Sequence, residues 1–154
     1  MAGEVEKRLK ALGVVLPTPA APAATYQPCV ESRGMLYISG QVPMGPAGPE
    51  FIGKLGRDLD IETGRQAARL CGINLLAQAK AALGDLDRIK RFVKLTGFVN
   101  CTADFGDTPK VINGCSDFLL EVMGDRGLHA RSAIGVASLP LGVAVEIEAI
   151  AEIT

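Results

Sequence analysis

A chain of 154 residues with 48% hydrophobic and 21% charged residues is long enough for one folded domain with a real core, and its composition is not that of a disordered segment. The net charge is −1 with no basic block, which argues against nucleic acid as the main ligand, because such binding rests on clustered Lys and Arg. No apolar run approaches the ~18–20 residues of a membrane span, and the start MAGEVEKRLKALG, with Glu4 and Glu6, lacks the basic opening and apolar centre of a signal peptide, so a cytoplasmic location is expected.

Residues 3–12 predict a short amphipathic helix, with Val5, Leu9 and Leu12 on one side and Gly13 ending it. Val14 to Ala24 holds Pro17, Pro19 and Pro22 and should run as an extended connector. Residues 27–33 and 35–42 predict a hairpin around Arg33-Gly34. In its second strand Met35, Tyr37 and Ser39 share one face, and Leu36 and Ile38 share the other. Pro43 to Arg57 is a loop rich in Gly and Pro. A long helix should follow from about Asp60 to Leu83, capped by Asp58 or Asp60 and closed by Gly84.

Residues 89–100 predict a strand with a solvated Lys/Arg start. A second helix should span Pro109 to Met123, with Thr108 as its cap, Pro109 in its first turn and Gly124 at its end. Its buried stripe is Val111, Ile112, Cys115, Phe118, Leu119 and Val122. The last quarter, His129 to Ile153, reads as a β-hairpin turning near Pro140-Leu141-Gly142. On its return strand Val143, Val145, Ile147, Ala149, Ala151 and Ile153 point one way; Ala144, Glu146, Glu148, Ile150 and Glu152 point the other.

The order is ββαβαββ behind a helical arm, an α+β arrangement in which two helices cover one face of a sheet. The other face is expected to carry Arg131, Ala133, Gly135 and Ala137 with one face of 35–42, residues poorly suited to open water. A face still needing cover predicts a homo-oligomer. The four cysteines form no C-x-x-C pair, and one His is too few for a usual zinc set, so no metal is expected. Cys71 and Cys115 fall on helix stripes as small buried hydrophobes, while the roles of Cys29 and Cys101 stay open. Arg131 stands among small and apolar neighbours, and a guanidinium with carboxylates on rigid strands can hold a small anion and move protons on it.

Two blocks resemble the RidA/YjgF group, the reactive intermediate deaminases also called L-PSP endoribonuclease-like. One is Ile38-Ser39-Gly40-Gln41-Val42-Pro43. The other is Ala130-Arg131-Ser132, then Leu139-Pro140, then Val145-Glu146-Ile147-Glu148-Ala149. The resemblance covers roughly Tyr26 to the end, dividing the chain into an arm and Pro-rich connector (1–25) and a RidA-like domain (26–154). It implies a chorismate-mutase-like fold, a homotrimer with a central β-barrel, and ligand clefts between subunits. It also implies hydrolysis of 2-imino acids, or their enamine tautomers, to 2-oxo acids and ammonia without cofactor or metal.

Carried onto this chain, the resemblance makes Arg131 the grip on the substrate carboxylate and Glu146 the group that positions or activates water. Their alternatives are a structural ion pair of Arg131 with Glu146 or Glu148, and an exposed charged strand face. By pattern alone Glu146 and Glu148 are equal candidates. Ser39, Tyr26 and Asn113 match substrate-contacting positions, although Gln27-Pro28 after Tyr26 departs from the family's loop, and Ser39 can instead tie to nearby backbone. Ala133 stands where many imine-hydrolysing members carry cysteine, which changes the cleft's size and polarity. His129 reads as a lone surface histidine, the alternative being one that borders the cleft. Three functions follow: an imine or enamine deaminase, a non-catalytic trimer binding small carboxylates or keto acids, and an endoribonuclease.

Overall fold

In a computed structural model, which describes residues 2–19, 21–22 and 24–154, the chain folds as a mixed sheet with helices on one side. In chain order the elements are α1 (Glu4–Ala11), β1 (Cys29–Ser32), β2 (Met35–Gln41), the short β3 (Met44–Gly45) and β4 (Gly48–Pro49), α2 (Ile61–Leu83), β5 (Ile89–Asn100), α3 (Thr108–Met123), β6 (Ala130–Val136) and β7 (Val145–Ile153). The predicted connector takes in residues 20 and 23, which lie outside the described residues.

Local chemistry explains most boundaries. Arg33 (φ 49°) and Gly34 (φ 76°) both adopt left-handed backbone, as a two-residue turn between twisted antiparallel strands requires. Asp60 caps α2, its Oδ1 accepting from the Thr63 amide at 2.8 Å, and Gly84 (φ 78°) closes it. Pro109 sits in the first turn of α3, but the cap is Asp107, not Thr108. Thr108 lies inside the helix and its hydroxyl donates to the Ala133 carbonyl at 2.9 Å, binding α3 to β6. The N-terminus of α1 is held from far away: the amides of Glu4 and Val5 donate to the Asp87 carboxylate at 2.7 and 3.3 Å. Val5 and Leu9 are buried in the common core with Leu36, Phe92, Leu119 and Ile147.

The strand order is β1-β2-β7-β5-β6. The expected C-terminal hairpin is therefore not formed. β5 lies between β6 and β7, antiparallel to β7 and parallel to β6. The crossover through α3 brings the chain back parallel to β5, as a strand–helix–strand unit does. Residues 137–144 then step over the end of β5. They are held there by Asn100, whose amide donates to Ala144 O at 2.8 Å and whose side chain donates to Val143 O at 3.1 Å.

The faces of the sheet also differ from expectation. Leu95, Gly97 and Val99 of β5 point toward the helices and are buried, and their register partners on β6 are Arg131, Ala133 and Gly135. These three consequently lie on the helix side, not on the uncovered face. Small residues are needed here because α3 comes close: a Cβ on Gly97 would stand 2.5 Å from Ile112 Cδ1. The opposite face carries Tyr37 of β2, Glu146, Glu148 and Ile150 of β7, and Thr96 and Phe98 of β5. None of α1–α3 covers it, and Tyr37 is 46% exposed. Among the described residues, no helix is long and apolar enough to cross a membrane.

Candidate active site

The sequence-derived site residues separate into two groups on opposite faces of the sheet. The first lies at the edge, between β6 and α3. Arg131 is half-buried, and its Nη1 donates to Ser116 Oγ at 3.1 Å while Nη2 donates to Pro109 O at 3.3 Å. Both acceptors are uncharged, so the ion pair with Glu146 or Glu148 is not made within one chain. Asn113, one turn before Ser116 on α3, and Ala133, two residues after Arg131, are both half-buried here. The floor beside the guanidinium is small and apolar, since Ala133 packs on the core and Gly135 lies against Cys101 Sγ.

The second group lies on the uncovered face. Glu146 sits opposite Phe98 and beside Gly40, where a Cβ would come within 2.9 Å of its Oε1. Burial, and then the negative charge of Glu148, raise its pKa above the ordinary 4.5. Glu148 is exposed, so the environment, not the alternation, separates the two carboxylates. The pairing of β2 with β7 shifts between Ile38 and Gln41. That irregularity holds Ser39 and Gly40 and re-aims the strand end, as bulges near sites commonly do. Ser39 Oγ donates to Gln27 O at 2.8 Å, the backbone tie anticipated as its alternative, and so fixes the segment that carries Tyr26. Tyr26 is 54% exposed on that loop.

Two members of the site were not legible as such. Ser116 carried no motif, although its i+3 spacing from Asn113 places both on one side of α3. His129 is not a lone surface residue. It is half-buried, its Nε2 is 2.9 Å from Ser116 Oγ and its Nδ1 is 2.6 Å from Gly127 O. The cysteines are unpaired; burial raises Cys71 well above 9.0 and pushes Cys115 up to about 12, so neither supplies a thiolate at neutral pH. Among the described residues, no group of three or more His, Cys, Asp or Glu side chains is placed to hold a metal ion.

The YjgF/chorismate mutase-like family model matches residues 6–153. The chain belongs to that family. As a YjgF-family protein it is 47% identical over 152 residues to protein TCP17 of Trypanosoma cruzi, covering 98% of this chain and 95% of TCP17. It is 34% identical over 139 residues to the 2-iminobutanoate/2-iminopropanoate deaminase of Mus musculus, covering 89% of each chain. Among solved structures, Atu1372 of Agrobacterium tumefaciens, a protein of unknown function, superposes with a TM-score of 0.91 at 48% identity, covering 97% of this chain and 92% of that one. The YjgF match begins inside α1, so the family likeness includes most of the arm.

Proposed function

We propose that this protein hydrolyses small 2-imino acids, or their enamine tautomers, to 2-oxo acids and ammonia, in clefts formed between copies of the chain. The observation that carries this reading is the division of the site. Arg131 and Glu146 are fixed on opposite faces of one sheet, and among the described residues neither side chain pairs with a charge of opposite sign. The uncovered face, with exposed Tyr37 and half-buried Glu146, is suited to meet the Arg131 edge of a neighbour. A cyclic assembly, a trimer closing the uncovered faces into a barrel, would bring the groups together. Residues 1–25 would then be an arm on a single domain spanning 26–154.

In such a cleft the Arg131 guanidinium takes the substrate carboxylate as a two-pronged donor, worth about 1.5–3 kcal/mol. Glu146, with its raised pKa, takes a proton from water as it adds to the C=N carbon and returns it to the departing nitrogen. Asn113 and Ser39 would orient the substrate, and Ala133 would leave room for a small apolar side chain. Support comes from the mouse relative, whose name states imine deamination.

A non-catalytic carboxylate binder is the second reading, favoured by the same Arg131. Ammonia release from freshly generated 2-iminopropanoate and 2-iminobutanoate separates the two. The wild type should exceed buffer, and Arg131→Ala should not. A wild type equal to buffer, yet binding 2-oxobutanoate through Arg131, would establish the binding reading.

A further inference from the structure

The edge group contains a hydrogen-bonded chain that the proposed chemistry does not use. Its proton positions follow from its partners. Gly127 O is a carbonyl and only accepts, so His129 Nδ1, 2.6 Å away, carries the ring proton. In the neutral ring Nε2 is then an acceptor, and the Ser116 hydroxyl, 2.9 Å away, donates to it. A guanidinium only donates, so Ser116 Oγ accepts from Arg131 Nη1 at 3.1 Å. With the ring neutral, the run Arg131–Ser116–His129–Gly127 has one arrangement of donors and acceptors that satisfies all three contacts.

We infer that His129 is a positioning residue for Arg131, acting through Ser116. The inference rests on Arg131 being the carboxylate grip. A serine inside a helix has a competing partner, the carbonyl four residues back, here that of Ile112. With His129 accepting its proton, the Ser116 hydroxyl is turned away from that carbonyl and its lone pairs face the strand. Without His129 the side chain swings back along the helix to donate to that carbonyl, and its oxygen leaves the line of Arg131 Nη1. The Pro109 carbonyl at 3.3 Å is then a single tether, about which the guanidinium can rotate. His129 touches no substrate in this arrangement; it sets the direction of the group that does.

The substitutions that test this are chosen by length. His129→Gln keeps an acceptor at the reach of Nε2. His129→Asn keeps the donor to Gly127 O but cannot reach Ser116, so it breaks the relay while preserving the contact most relevant to folding. The first readout is the Arg131 Nε–Hε signal in ¹⁵N-labelled protein, assigned by its disappearance in Arg131→Lys, and it needs no ligand. His129→Asn and Ser116→Ala should move that signal by the same amount, the double variant should move it no further, and His129→Gln should leave it in place. The second readout is turnover of 2-iminopropanoate: His129→Asn should raise KM about fivefold, the scale of one lost hydrogen bond, with kcat nearly unchanged. A signal that moves in Ser116→Ala but not in His129→Asn overturns the role of His129. If the signal behaves as expected and the wild type releases no ammonia, the relay stands and the deaminase reading fails.

Discussion

Arg131→Ala chains and Glu146→Gln chains, each inactive alone, should recover activity when unfolded together and refolded as an equal mixture. The expectation comes from strand register. Arg131 lies beside Leu95 on the helix side, and Glu146 lies opposite Phe98 on the uncovered side, so one chain cannot aim both at the same molecule. Losing the guanidinium removes about 1.5–3 kcal/mol of carboxylate binding, roughly 10- to 150-fold in affinity. Losing the carboxylate removes a proton-transfer group, typically about 10²–10⁴-fold in rate. In the proposed closed ring each cleft would draw Arg131 from one copy and Glu146 from the next. With random assortment, each contributor is the competent one half the time, so about a quarter of the clefts are whole. Ammonia release from 2-iminopropanoate should therefore reach about a quarter of the wild-type rate in the mixture. It should stay at background when the two variants are refolded apart and then combined without exchange. A co-refolded mixture no better than the separate variants would refute the shared cleft.

Gly40→Ala should push the Glu146 carboxylate aside, because the new Cβ would stand 2.9 Å from its Oε1; turnover should fall roughly 10- to 100-fold with little change in thermal unfolding. Because burial raises the folded-state pKa of Glu146 above 4.5, the folded chain holds this proton more tightly than the unfolded chain. The stability it contributes is complete below pH 4.5 and is lost as pH rises through the raised value, so Glu146→Gln should melt higher than wild type at neutral pH and match it in acid. A higher-melting wild type at neutral pH would show that a cation governs this carboxylate in the assembly. Asp87→Ala should cost about 0.5–2 kcal/mol in urea unfolding and speed amide exchange in α1, since it strips the amides of Glu4 and Val5 of their acceptor. Gly97→Ala should cost about 1–3 kcal/mol, because its Cβ would collide with Ile112.

Elements whose signals are local were legible from residue order. The two main helices, the strand at 89–100 and the Arg33-Gly34 turn fall where periodicity, caps and glycines place them. The alternation after Val143 correctly separates buried Val145, Ile147 and Ala149 from Glu146 and Glu148. Pairing was not legible. Two adjacent strands joined by Pro140-Leu141-Gly142 look like a hairpin, and nothing local reveals that β5 lies between them. The face of Arg131 was not legible either, because small residues at 133 and 135 suit an approaching helix as well as they suit a face awaiting cover from another copy. Within the chain Arg131 does not lower the Glu146 pKa, because the sheet keeps the guanidinium on its far side. The link from His129 to Ser116 spans a helix and a turn, and only packing brings those side chains together.

The anchoring of α1 bears on how the protein is made. An isolated eight-residue helix is too short to persist in water. Its amides wait for a carboxylate at position 87, and its apolar side waits for α3. During translation α1 leaves the ribosome before the elements that hold it, and it is consequently among the last to acquire its shape. Until residue 123 has emerged, Val5 and Leu9 travel exposed, and any factor that meets this stretch of the nascent chain will meet it unfastened.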